Sequence, residues 1–287
     1  MIKLQNLKKY YGKNMGVEDI TLTVDKGDIF GFVGPNGSGK STTIRVLMGL
    51  INVTSGYVEV LGETTRDGIV KALSDIGYLP GEANFYGELK VRDLLEYSCK
   101  LKGRGRENIM VFADKFNLDL EKRIDSLSLG NRKKVAIVNA LVHKPKLLIL
   151  DEPTGGLDPV MQHVFFEVLK DLNKDGSTIF FSSHILSEVQ SFCQKVAIVK
   201  DGRIVKSGTV KCICGGNLKE VRLFFDKRAP KLESGRDIKN VAVSDNLLSF
   251  DYSGNTADLI GLIAKLKPSD VNISDADLER VIMHFYI

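Results

Sequence analysis

The chain has 287 residues, 43% of them hydrophobic, and a formal charge of +4, with no apolar run near the ~18 residues that span a bilayer. That composition excludes a disordered chain and leaves room for one well-buried α/β domain plus a smaller second one; it is too mildly basic to point to nucleic acid. The first residues, Met1 to Lys9, lack the apolar core of a secretory signal, so any membrane role is expected to run through a partner. The four cysteines, Cys99, Cys193, Cys212 and Cys214, include one Cys-x-Cys pair without a second pair or a nearby His, and read as reduced thiols of a cytosolic protein.

In chain order, strands are predicted at about 2–6, 17–24 and 28–33, the last being the apolar run Ile29 to Val33. It leads directly into Gly34-Pro35-Asn36-Gly37-Ser38-Gly39-Lys40-Ser41-Thr42, a Gly-x-x-x-x-Gly-Lys-Ser phosphate cradle. Glycines at 34, 37 and 39 let the backbone turn tightly and offer N–H groups to phosphate oxygens. The helix opening at Ser41 adds its positive end. Lys40 supplies the compensating charge, and the Ser41 hydroxyl can ligate Mg²⁺. The chain therefore binds a nucleoside triphosphate. A helix from 41 to about 50 and strands near 57–61 and 75–79 complete this first part.

From about 90 to 143 the pattern turns helical, with Val91, Leu94, Leu95 and Tyr97, then Val135, Ile137, Val138 and Leu141, each set expected to line one helix face. Within it lies Ser126-Leu127-Ser128-Leu129-Gly130-Asn131-Arg132-Lys133-Lys134, where Ser128 on its own reads as a helix cap. Strands return at 146–150, 177–182 and 196–200 with helices between them, as parallel crossovers require. The first runs straight into Asp151, Glu152 and Pro153. In parallel sheets ligands sit beyond the carboxyl ends of strands, so Asp151 is expected to hold Mg²⁺ and Glu152 to align or deprotonate the attacking water. Asp201-Gly202 reads as a hairpin turn. After about 215 the texture changes. Strands are predicted at 221–225, 241–243 and 247–250, and helices at 256–266 and 276–286, giving a small α+β appendage over 216–287.

Leu127, Ser128 and Gly130, placed between the phosphate cradle and Asp151-Glu152, resemble the Leu-Ser-Gly-Gly-Gln signature of ABC transporter ATPases, with Leu129 and Asn131 in place of Gly and Gln. The resemblance covers residues 1–215 and implies a fold: a P-loop nucleotide-binding α/β domain with an antiparallel β subdomain and a helical insertion at about 85–143. It implies ATP and Mg²⁺ as cofactors and a Mg-dependent ATP hydrolase with Lys40, Glu152 and His184 as catalytic groups. Tyr11 takes the place of the aromatic that stacks on adenine, with Tyr10 as the rival assignment. In the Thr154-Gly155-Gly156-Leu157-Asp158-Pro159 loop, Asp158 takes the place of the residue that communicates with an opposite subunit, and His184 that of the switch histidine.

The same resemblance implies that Ser128 and Gly130 complete the site of a second copy arranged head to tail, and that a separate transmembrane permease docks on the insertion around 82–102, where the apolar residues equally fit interior packing. No nucleic acid is expected, and the chain is expected to be cytoplasmic, peripheral on the inner face of the cell membrane. One departure is Gly81, where the family usually has a glutamine that reaches the metal and water; Glu82 is the available substitute. The tail resembles the extension on ATPases of two-component bacterial exporters, in a regulatory or docking role or a stabilising one. Two readings stand beside export: a soluble relative acting on ribosomes or DNA, and a low-turnover nucleotide sensor.

Overall fold

The computed structural model describes residues 1–214 and 219–275. The chain divides into two compact units, Met1–Ser207 and Gly208–Ile287, so the division falls ahead of the boundary expected near 215.

The first unit opens with β1 (Ile2–Tyr11), β2 (Asn14–Val24) and β3 (Ile29–Val33), then α1 (Lys40–Leu47), β4 (Ser55–Val60), α2 (Arg66–Ala72) and β5 (Ile76–Leu79). Three helices follow, α3 (Val91–Lys102), α4 (Ile109–Lys115) and α5 (Leu129–Leu141). Then come β6 (Leu147–Asp151), α6 (Pro159–Lys174), β7 (Thr178–Ser183), α7 (Leu186–Phe192), β8 (Lys195–Lys200) and β9 (Arg203–Thr209). Nine strands form one sheet in the order β4-β1-β2-β9-β8-β3-β7-β6-β5. Its outer end, β4-β1-β2, is antiparallel, whereas β8, β3, β7, β6 and β5 run parallel. The antiparallel subdomain and the parallel core expected from the sequence are both present.

The physical reason is legible strand by strand. Every residue of β3, β6 and β7 is buried, which suits inner strands covered by helices on both faces. Phe30 and Phe180 stack across β3 and β7 with ring centroids 6.1 Å apart. β1 instead alternates buried and exposed residues at its start, as a sheet with one wet face should. Asp201 and Gly202 both take positive φ, 49° and 68°, which makes the β8–β9 connection the primed turn that a two-residue hairpin favours. The Gly202 N–H also donates to the Ser38 carbonyl, tying this turn to the phosphate cradle.

Register decides where the chemistry sits. Val33 pairs with Ser183, Asp151 with Ser182, and Leu79 with Leu150, so the carboxyl ends of β3, β7, β6 and β5 share one sheet edge. Loops leaving that edge carry residues 34–40, 80–81, 152–158 and 184.

The helical insertion is not continuous, being broken into α3, α4 and α5. On α3 the buried residues are Val91, Leu95 and Cys99; Tyr97, expected on the same face, is 60% exposed. Its position is two residues from Leu95, and neighbours at that spacing point to opposite sides of a helix. On α5 the four expected residues, Val135, Ile137, Val138 and Leu141, are all buried.

The second unit holds α8 (Val210–Ile213), β10 (Lys219–Phe224), β11 (Ile238–Ser244), β12 (Leu247–Tyr252), α9 (Thr256–Leu266) and β13 (Asp270–Asp275). Its strands form a second, antiparallel sheet in the order β11-β12-β10-β13. Val221, Leu223, Leu248, Phe250 and Leu259 form its small core. β13 was not anticipated. The helix expected over 276–286 lies outside the described residues.

Candidate active site

At two of the cradle's glycines nothing larger fits. A Cβ on Gly34 would lie 2.4 Å from the Val199 carbonyl, and one on Gly39 2.7 Å from that of Gly16. Gly37 and Gly39 also take positive φ, 81° and 101°, which residues with a Cβ avoid. Gly39 is the N-cap of α1 and has no side chain to occupy the first N–H groups, so these remain for an anion. The Ser38 hydroxyl is buried there without a protein partner. A cavity of about 270 Å³ lies over the loop, lined by Tyr11, Asn36, Gly37, Gly39, Lys40, Ser41, Thr42 and Glu152 among others.

Lys40 is buried at the base of this cavity. Its ammonium donates to the carbonyls of Gly34 at 2.8 Å and Pro35 at 3.1 Å, and faces Glu152 Oε1 at 3.6 Å. Burial pushes its pKa down, while the Glu152 and Asp151 carboxylates push it up. Glu152 Oε2 lies 3.2 Å from His184 Nδ1. Lys40, Glu152 and His184, drawn from three separate stretches of sequence, therefore converge.

Glu152 holds φ at 45°, a left-handed conformation unusual for a side-chain-bearing residue and of the kind found at functional sites. Its N–H is shared between the Ser182 carbonyl at 3.1 Å and hydroxyl at 3.3 Å. The same hydroxyl donates to Asp151 Oδ1 at 2.6 Å. Ser182 thus orients both acids, a role that sequence reasoning missed; the signal was its place in Ser182-Ser183-His184, opposite Asp151 in register.

Mg²⁺ prefers hard oxygen ligands and keeps several of its waters. The buried Asp151 carboxylate and the exposed Ser41 hydroxyl at the head of α1 offer such oxygens. Among the described residues no group of three or more His, Cys, Asp or Glu could hold a metal unaided.

Tyr11 lines the cavity, its ring against Gly16 and with Lys9 Nζ 5.0 Å from its centroid. The Tyr10 hydroxyl is instead bonded to Glu18. Ser128 and Asp158 do not line this cavity. Each is exposed and caps a helix, Ser128 accepting from the Asn131 N–H at 3.4 Å and Asp158 from Met161 at 2.9 Å. Gly130 lies beside the loop after Glu152: a Cβ there would sit 3.1 Å from the Gly156 carbonyl. Leu129 takes the first helical position with ordinary φ and is 78% exposed.

A parallel strand ending in an anion cradle, with a buried lysine beneath it and a carboxylate pair at the next strand edge but one, defines a P-loop nucleotide-binding protein. The family model described as ABC transporter matches residues 17–155, and the chain belongs to the ATP-binding proteins of ABC transporters. It is 33% identical over 268 residues to the uncharacterized ABC transporter ATP-binding protein YhaQ of Bacillus subtilis (strain 168), covering 91% of this chain and 85% of that one. The linearmycin resistance ATP-binding protein LnrL of the same organism is 34% identical, with 99% and 97% covered, so that likeness runs through the second unit. Among solved structures, the ATP-binding cassette MJ0796, a dimer in a post-hydrolysis state bound to ADP and Pi, superposes with a TM-score of 0.68. It is 26% identical, with 73% of this chain and 99% of that one covered.

Proposed function

We propose that this chain hydrolyses Mg-ATP to drive an exporter whose membrane channel is a separate polypeptide, acting as a nucleotide-dependent head-to-tail dimer. The observation that carries this reading is that Glu152, on the wall of the glycine-lined phosphate cavity, meets Lys40 at 3.6 Å through one carboxylate oxygen and His184 at 3.2 Å through the other. In this reading the cradle N–H groups and Lys40 bind the β- and γ-phosphates, and Lys40 exchanges its pairing with Glu152 for phosphate oxygens. Glu152, released toward the attacking water, accepts its proton; His184 contacts the γ-phosphate; Tyr11 stacks on the base. Asp151 and Ser41 would hold Mg²⁺, which would supply charge neutralisation at the phosphates.

Export is supported by the likeness to LnrL, an ATP-binding protein of linearmycin resistance, 97% of which is matched. Dimerisation is supported by the dimeric MJ0796 cassette and by the solvent-facing Ser128, Leu129 and Asp158. No helix among the described residues is long and apolar enough to cross a membrane. In this reading a separate permease supplies the channel. Tyr86, Tyr97 and Leu101, 82%, 60% and 68% exposed on the insertion, suit its docking. That attachment places the protein on the inner face of the membrane.

The test is phosphate release from Mg-ATP by the wild type and Glu152→Gln. Losing the general base is expected to lower kcat by about 10²–10⁴-fold with nucleotide binding retained. Equal rates in the two proteins refute the assignment.

A further inference from the structure

Lys133 lies in the second turn of α5 and is 7% exposed. Its ammonium donates to two main-chain oxygens, the carbonyl of Gly81 at 3.1 Å and that of Glu152 at 3.2 Å. These acceptors are 52 and 19 residues away in sequence, beyond the ends of the adjacent parallel strands β5 and β6. A buried ammonium is tolerated only where fixed partners replace its water. Here burial pushes its pKa down and the nearby Asp151 and Glu152 carboxylates push it up.

Both acceptors are backbone positions that need holding. Gly81 has no side chain, yet its backbone runs along the carboxylate assigned to the metal: a Cβ there would lie 3.7 Å from the Asp151 carbonyl and 4.0 Å from Asp151 Oδ2. With no side chain, it is tied to α5 through its carbonyl. Glu152 sits in a left-handed conformation, with φ at 45°, that must be imposed from outside. Ser182 holds its N–H, and Lys133 holds its carbonyl.

We propose that Lys133 is a positioning residue for hydrolysis, gripping the Gly81 and Glu152 carbonyls together. It thereby keeps the Glu152 carboxylate aimed at Lys40 and His184, and makes the link between that acid and the segment entering the helical insertion that residue 81 cannot make. The inference rests on the hydrolase reading above.

Lys133→Met keeps an unbranched chain but removes the donors, and Lys133→Gln restores a shorter one. The measurements are kcat and KM for Mg-ATP, equilibrium ATP binding, and backbone amide exchange over 79–84 and 150–155 in the nucleotide-free protein. In Lys133→Met, kcat is expected to fall about ten- to a hundredfold while ATP affinity stays within about twofold. Exchange in both segments rises together, and Lys133→Gln recovers part of the rate. If Lys133→Met does not fold, Lys133→Gln alone carries the comparison, with a reduced kcat expected at unchanged affinity. A wild-type kcat in every folded variant, a parallel loss of kcat and affinity, or unchanged exchange overturns the inference while leaving the hydrolase reading intact. A wild type that releases no more phosphate than Glu152→Gln overturns both.

Discussion

His143 shows how a single buried side chain makes this fold sensitive to acid. It follows α5, is 2% exposed, and its Nε2 lies 3.2 Å from the Ile76 carbonyl, leaving Nδ1 buried without a partner. Nε2 therefore carries the proton of a neutral ring. Burial, then the nearby Lys102 ammonium, push its pKa down to about 4, against 6.5 in the unfolded chain. Above pH 6.5 the ring is neutral in both states and stability is complete. Between 6.5 and about 4 the unfolded chain takes up a proton that the folded chain refuses, so stability falls as pH falls. The loss amounts to about 3 kcal/mol from this group. His143→Gln, whose amide can still donate to Ile76, is expected to remove that slope in a urea titration run at pH 7 and pH 4.5. A wild-type difference between the two pH values in the variant would show that other groups set the acid limit.

At the scale of elements, a tight joint lies between β5 and the end of α5. A Cβ on Gly77 would lie 2.2 Å from the Ala140 carbonyl and 2.7 Å from Leu148 and Pro145 side-chain atoms. A carbonyl on a packed helix cannot step aside cheaply. Gly77→Ala is expected to destabilise the first unit by about 1–3 kcal/mol or more, read as a lowered unfolding midpoint. An unchanged midpoint would mean that α5 floats on the sheet. Because β5 also aims Gly81 past Asp151, the same variant should lower turnover. Elements of this kind were legible in the sequence in proportion to how fully they are buried. β3, β6 and β7 are built on short apolar runs, residues 29–33, 147–150 and 179–181, so both their existence and the polar residues at their ends could be read directly. β13 offers only Val271 and Ile273 between polar residues, both about two-fifths exposed, and α2 is a seven-residue helix interrupted by Gly68. Neither carries enough burial to leave a periodic trace. At the site, cradle and carboxylates were legible because their residue types are chemically committed. Ser182 and Lys133 act through register and main-chain carbonyls, which no pattern along the chain records.

At the scale of the whole molecule, the site described is half of a working one under the proposed mechanism. Lys40 and His184 both meet Glu152 at the edge of the phosphate cavity, whereas Ser128 caps α5 facing solvent and Asp158 caps α6 likewise. Under that mechanism the exposed Ser128 and the N-terminus of α5 would receive a phosphate held by another molecule. Leu129, the most exposed apolar residue of this segment, gains most by being covered. Bound ATP carries the charge that would bridge the two halves, so association should depend on nucleotide and reverse when it is hydrolysed. Blocking hydrolysis with Glu152→Gln should therefore trap the dimer, also by removing one carboxylate charge beside the γ-phosphate. Light scattering is expected to report monomer without nucleotide and a doubled mass with Mg-ATP, reverting when Ser128→Glu places a like charge against the partner's phosphate. A Glu152→Gln protein that binds ATP yet keeps its monomer mass at high concentration would remove the dimer from the mechanism and leave hydrolysis to be explained within one chain.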